Sequence, residues 1–167
     1  MFAIYKTHYK PFYNKLVELS RDIFFYKKIQ LKDIFETRIN LIFVHLSIIL
    51  IVFKEKEKNS FPQDIFDNIF LSIEYHIREL GYGDVAVNKK IKLLLRIFYD
   101  VLLKIRSTES KKKINKAILA KYLEPQNTNP NQLNDELANY FEEFYNFCFE
   151  IKNNSMLKGQ INFKYKK

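Results

Sequence analysis

The sequence is poor in the residues on which disulfides, tight turns and phosphate-binding loops depend. Its 167 residues include one cysteine, three glycines, four prolines and no tryptophan. The single cysteine, Cys148, excludes a disulfide framework and a zinc site built from several cysteines. So few glycines and prolines argue against a turn-rich β-sandwich or barrel, and no glycine-rich nucleotide-binding motif is present. These absences favour an all-α fold.

Apolar residues, in contrast, are abundant. The chain is 47% hydrophobic and 16% aromatic, which excludes a disordered polyelectrolyte. A chain of this length can bury a core without disulfides, and it is close to the usual size of one domain. We therefore predict a single domain over residues 1–167, with 153–167 as a strap or tail.

The charge balance is basic, with a formal net charge of +9. Such a charge is compatible with a nucleic acid, a ribosome or an anionic membrane as partner. Most of the cations are lysines, however, and they are spread along the chain rather than concentrated on one element. Composition therefore does not name the partner.

Apolar residues at helical spacing predict a bundle of five to six helices. The predicted helices span residues 11–21, 31 or 33 to 54, 61–80, 87–106, 114–123 and 133–151. The run 41–53 is apolar almost all round but shorter than the roughly 20 residues that a membrane span needs. It therefore predicts the central buried helix. Alternating Ile161, Phe163 and Tyr165 predict an extended strap on the bundle.

Two local signals mark the third predicted helix. Ser60 and Gln63 have the spacing of a capping box, which predicts Ser60 as the N-cap. Gly81 predicts a left-handed residue that ends the helix, and Gly83 follows two residues later. In a chain with so few glycines, this pair indicates positive φ or close backbone approach. We expect valine at either position to destabilise the fold.

Residues with catalytic or metal-binding chemistry are few. The three histidines form no HExxH motif, and no local signature of a nucleophilic triad is present, so we do not expect an enzyme. His45, inside the apolar helix, is either a hydrogen-bonded core histidine or a haem or metal ligand. We expect Cys148 to be a small core hydrophobe and His76 to lie at the surface.

A distinctive set of charged, glycine and aromatic residues lies between positions 65 and 99. Its members are Asp67, Phe70, Glu74, Arg78, Glu79, Leu80, Gly81, Tyr82, Gly83, Asp84, Val87, Lys89, Phe98 and Tyr99. This set resembles the signature of the ubiquinol–cytochrome c chaperone family. The run 38–41 with His45, the Tyr13-Asn14 pair and the stretch 137–163 resemble other parts of the family pattern. Asn88 and Asp100 depart from it, since proline and glycine are usual there.

The resemblance implies a non-enzymatic assembly chaperone with no cofactor of its own. Its client would be newly made cytochrome b, whose haem loading and assembly into the bc1 complex (complex III) it would support. The candidate client- or partner-binding residues are Arg38, His45, Asp67, Glu74, Arg78, Glu79, Gly81, Gly83, Asp84, Lys89 and Tyr99. Around the glycine turn, these residues either form a charged rim on a groove for a hydrophobic client or lock one helix–turn–helix geometry.

Location and rival functions follow from the same observations. The first residues contain no apolar run or cleavage site typical of a secretory signal. We expect a bacterial protein at the cytoplasmic face of the inner membrane, or one on the matrix side if the source is mitochondrial. The ribosomal exit region and an anionic membrane surface are further expected partners; specific DNA is not. The alternatives are a basic helical RNA- or ribosome-binding protein and a haem carrier that uses His45. The sequence does not determine the oligomeric state.

Overall fold

Helices make up almost all of the regular structure in this protein. The computed structural model describes residues 10–57, 60–110, 112–126 and 130–165. Its elements are α1 (Lys10–Ser20), a π-helix (Phe24–Lys28), α2 (Phe35–Glu57), α3 (Gln63–Glu79), α4 (Asp84–Lys104), α5 (Lys116–Tyr122), α6 (Pro130–Glu150) and α7 (Asn153–Leu157). No β-strand occurs within these ranges, which confirms the all-α prediction and adds one α-helix to the six predicted. Residues 1–9, where no signal peptide is predicted, lie outside the described residues.

Helix α2 lies at the centre, with α1, α4 and α6 packed against it. Every side chain from Leu41 to Ile49 is buried. The helix has 23 residues and a mean hydropathy of 1.8 over its most apolar window, so its length and composition would also suit a membrane span. Because 61% of that window is buried inside the protein, α2 is a core helix here, as predicted.

Helix α3 starts differently from the prediction. Pro62, with φ −57° and ψ 122°, is the N-cap residue, and no side chain caps the helix. Gln63 is thus the first residue of the helix. In a capping box the glutamate or glutamine is the third helical residue, so Gln63 cannot take that role. Its side-chain nitrogen instead donates to Asp67 Oδ1 at 2.7 Å. The predicted capping box is therefore wrong, because the helix begins after proline and not after Ser60.

The three glycines have three different environments. Gly81 has φ +96° and ends α3, as predicted. Gly83 has φ −76° and ψ 168°, an extended N-cap conformation open to any residue, and an added Cβ would meet nothing within 4 Å. The expectation of positive φ or close approach at Gly83 is therefore wrong. Close approach occurs instead at Gly159, with φ +74°, whose Cβ would lie 2.8 Å from the carbonyl carbon of Pro11.

The C-terminal segment lies on the bundle through its aromatic rings. Ile161 is almost fully buried, and the Phe163 ring lies 5.3 Å from the rings of Tyr140 and Phe144. The Tyr165 ring lies 4.8 Å from that of Phe24. The predicted strap is thus confirmed for residues 160–165. The preceding residues are helical instead, since α7 buries Met156 completely.

Candidate functional site

A groove opens at the surface where α1, α2 and α3 meet. Its volume is about 380 Å³. The residues that line it are Tyr13, Val17, Ser20, Arg21, Phe35, Arg38, Ile39, Ile42, His76, Glu79 and Leu80. The size is within the roughly 300–1,000 Å³ typical of ligand clefts. Because its walls come from three helices, the groove exists only in the folded bundle.

The groove combines apolar walls with charged residues. Val17, Phe35 and Ile42 contribute apolar surface, whereas Arg38 and Glu79 contribute opposite charges. The Arg38 guanidinium donates to Asp33 Oδ1 through Nε at 2.8 Å and Nη2 at 2.7 Å, so a carboxylate just before α2 orients this side chain. Such a site can take an apolar side chain while its polar groups contact the backbone of a bound peptide or a charged neighbour.

One hydrogen bond joins α1 to α3 in the lining of the groove. Tyr13 Oη and His76 Nδ1 lie 3.1 Å apart. Burial raises the pKa of Tyr13 to about 12, so the phenol stays protonated at neutral pH and can donate to the imidazole. The sequence did not mark His76 as a site residue. The available signal was its position three residues before Glu79, which places both on one face of α3.

Arg78 connects the end of α3 to the start of α4. Its Nη2 donates to Glu74 Oε1 at 3.0 Å, and its Nη1 donates to Asp84 Oδ1. The hydrogen bond to Asp84 is the largest cause that raises the pKa of Arg78, and the bond to Glu74 is the next largest. None of the three side chains lines the groove. Their contacts hold the glycine turn in one geometry, which supports the structural interpretation of this charged set.

His45 lies in the core and not in the groove. Its Nδ1 lies 2.7 Å from the carbonyl oxygen of Leu41, which can only accept, so Nδ1 carries the proton. Nε2 then accepts from the Tyr140 hydroxyl at 2.9 Å. Burial lowers the pKa of His45 to about 4, so the ring is neutral. Both ring nitrogens are engaged, which confirms the core-histidine interpretation and leaves no free lone pair for haem iron.

The comparisons with known proteins agree with the sequence pattern. The family model described as ubiquinol-cytochrome C chaperone matches residues 27–163. The chain belongs to the ubiquinol–cytochrome c chaperone family. The match begins before α2 and ends in the C-terminal strap, so it includes the residues that α2 and α3 contribute to the groove.

A protein of known structure has the same fold as this chain. The crystal structure of the Cbp3 homolog from Brucella abortus superposes with a TM-score of 0.73 at 22% identity. The similarity covers 96% of this chain and 90% of that one. At this level of identity it establishes the fold alone. No curated protein matches the chain.

The structure brings together only some of the candidate residues of this chaperone-family chain. Arg38 and Glu79 share the groove, whereas the Gly81–Asp84 turn lies beside it. Asp67 is exposed on α3. Lys89 and Tyr99 are exposed on α4 and line no part of the groove. The candidate set therefore divides into groove, turn, core and outer-surface positions.

Cys148 is buried in α6, as predicted for a core hydrophobe. Burial raises the pKa of its thiol, so the reactive thiolate is disfavoured. Within the described ranges, no three His, Cys, Asp or Glu side chains form a group that could hold a metal ion.

Proposed function

We propose that this family member is a non-enzymatic assembly chaperone that binds newly made cytochrome b and supports its haem loading and assembly into the bc1 complex. Membership of the chaperone family over residues 27–163 supports the chaperone role. The structural observation that carries the proposal is the groove between α1, α2 and α3, which has apolar walls and charged residues.

The groove suits a short part of a membrane polypeptide. About 380 Å³ can hold a few apolar side chains but not a whole transmembrane helix. Leu80 is 59% exposed at this site, so a bound client would bury an apolar side chain that water now contacts. Arg38 and Glu79 can pair with polar groups next to the apolar segment. Binding and release of this kind need no catalytic group and no cofactor in the chaperone.

We further propose that the protein works at the cytoplasmic face of a bacterial inner membrane, or on the matrix side in a mitochondrion. Newly made cytochrome b is accessible there as it leaves the ribosome. The net charge of +9 supports residence near two negative surfaces, the ribosomal exit region and anionic lipid.

Deletion of the gene tests the client. We expect the absorption signals of cytochrome b and the bc1 complex to be lost from membranes while other haem proteins persist. A plasmid copy of the wild-type gene should restore them. Unchanged bc1 content after deletion would contradict the proposal, and RNA binding by the protein at physiological salt would then favour the nucleic-acid alternative.

The groove is tested by Leu80→Asp in the plasmid copy. Replacing this apolar side chain by a carboxylate should weaken client binding about 10- to 100-fold, the range expected for losing a buried leucine contact. The cytochrome b signal should then fail to recover. Phe149→Asp is the matched control, because Phe149 is 46% exposed on α6 and does not line the groove. Equal recovery with both variants would place the client elsewhere.

A further inference from the structure

The outer side of α4 exposes aliphatic side chains that no other part of the described chain covers. Leu103, Val85 and Leu93 have 81%, 71% and 54% of their surface exposed. Leu103 and Val85 are the most exposed large apolar residues among those described. The opposite side of α4 packs against α2 and α3. The exposed residues are therefore not an unfinished part of the core.

Three cations lie among these aliphatic residues. Lys89, Lys92 and Arg96 are exposed, and within the described ranges they form no ion pair or side-chain hydrogen bond. Steps of three and four residues place them on the same helix face as Val85 and Leu103. We name this surface the outer α4 stripe; it consists of Val85, Lys89, Lys92, Leu93, Arg96 and Leu103. The two carboxylates of α4, Asp84 and Asp100, are already bound by basic side chains, so the stripe keeps its positive charge.

We infer that the outer α4 stripe binds the surface of an anionic membrane. Aliphatic side chains gain by entering the boundary between headgroups and acyl chains, while the cations contact lipid phosphates. From Val85 to Leu103 the stripe is about 27 Å long, since an α-helix rises 1.5 Å per residue. A helix of this length, packed on the bundle by its other face, can lie along a planar surface.

The aliphatic residues favour lipid over nucleic acid as the occupant. RNA would satisfy Lys89, Lys92 and Arg96 through its phosphates. It would offer no apolar phase to Val85 or Leu103. The exposed ring of Tyr99, next to the stripe, does not distinguish the two occupants, because tyrosine suits base stacking and a lipid interface alike. Only an anionic lipid surface offers both an apolar phase for the aliphatic side chains and phosphates for the cations.

This inference adds a membrane-contact surface to the proposed function and is tested without the client. Purified protein is floated with vesicles of phosphatidylcholine alone or mixed with phosphatidylglycerol. Binding should require the anionic lipid and weaken with salt. The triple variant K89Q/K92Q/R96Q should bind anionic vesicles about 100-fold more weakly, since each cation near the surface contributes about fivefold.

The matched control is K54Q/K152Q/K158Q. These three lysines are exposed outside α4, form no ion pair among the described residues, and change the net charge equally. The control should lose less than about fivefold, as expected for long-range attraction alone. Equal losses in the two triples would overturn the assignment to α4. Loss of RNA binding with unchanged vesicle binding in the α4 triple would identify a nucleic-acid surface instead.

Tryptophan fluorescence tests whether the aliphatic residues enter the lipid. The chain lacks tryptophan, so Leu93→Trp and Leu103→Trp each provide a single fluorescent reporter. Their emission should shift to the blue on anionic vesicles, whereas Phe149→Trp on α6 should not respond. No shift at either α4 position, in protein that floats with the vesicles, would refute the inferred surface. Cytochrome b content after gene deletion would be unaffected by that result, so the client role is judged separately.

Discussion

Alanine at position 159 is expected to lower the free energy of unfolding by about 2–5 kcal/mol. Gly159 has φ +74°, and an added Cβ would lie 2.8 Å from the carbonyl carbon of Pro11 and closer still to its oxygen. Both partners are backbone, so no flexible side chain can move aside. Relief requires the C-terminal strap to shift away from the start of α1. Urea unfolding should show a lower midpoint.

The other two glycines separate the causes of this effect. At Gly81, alanine meets open space but must adopt φ +96°, which costs about 1–2 kcal/mol. At Gly83, alanine meets open space at an ordinary φ of −76°. The free energy of unfolding should therefore fall by less than about 1 kcal/mol, because alanine is only a poorer N-cap residue than glycine. Alanine should therefore destabilise most at 159, less at 81 and least at 83. Equal losses at 159 and 81 would show that residue 159 does not approach the Pro11 backbone closely.

Acid is expected to destabilise the protein through His45. Burial lowers the pKa of this ring from its ordinary value of 6.5 to about 4 in the folded state. Between these two values the unfolded chain binds a proton that the folded chain does not, so stability falls as the pH falls. The contribution is fully present above pH 6.5 and is lost progressively towards pH 4. The difference corresponds to about 3 kcal/mol.

His45→Gln removes this titration and should flatten the pH dependence of the unfolding midpoint between pH 6.5 and 4. The variant will also be less stable at neutral pH, because glutamine cannot reproduce both the bond to Leu41 and that from Tyr140. The slope, not the absolute stability, is therefore the measurement. A slope unchanged in His45→Gln would mean that the ring is not buried as a neutral base.

The location of the helices could be predicted because apolar periodicity is a local property of the chain. The run 41–53 is apolar on all sides and shorter than a membrane span, so the sequence predicted a helix covered by others, as α2 is. Ends of helices were less predictable. Ser60 and Gln63 have capping-box spacing, but α3 begins at Gln63, after Pro62, and the sequence does not contain the φ and ψ values that decide this.

The candidate site was predicted only in part, for a related reason. Arg38 and Glu79 were selected through the family resemblance, and they do line one groove. Tyr13 and His76 complete it from α1 and α3, 63 residues apart, and only the packing of these helices brings them into hydrogen-bond distance. His45, in turn, was a candidate binding residue that the fold places in the core.

The sequence by itself determined the helical class, the central position of α2 and the family to which the chain belongs. These depend on residue type and spacing along the chain. Only the tertiary structure decided that Gly159, and not Gly83, approaches another backbone closely, and that the outer α4 stripe remains uncovered. The physical reason is that close approach and exposure depend on which helices pack together, and spacing along one chain does not encode distances between its parts.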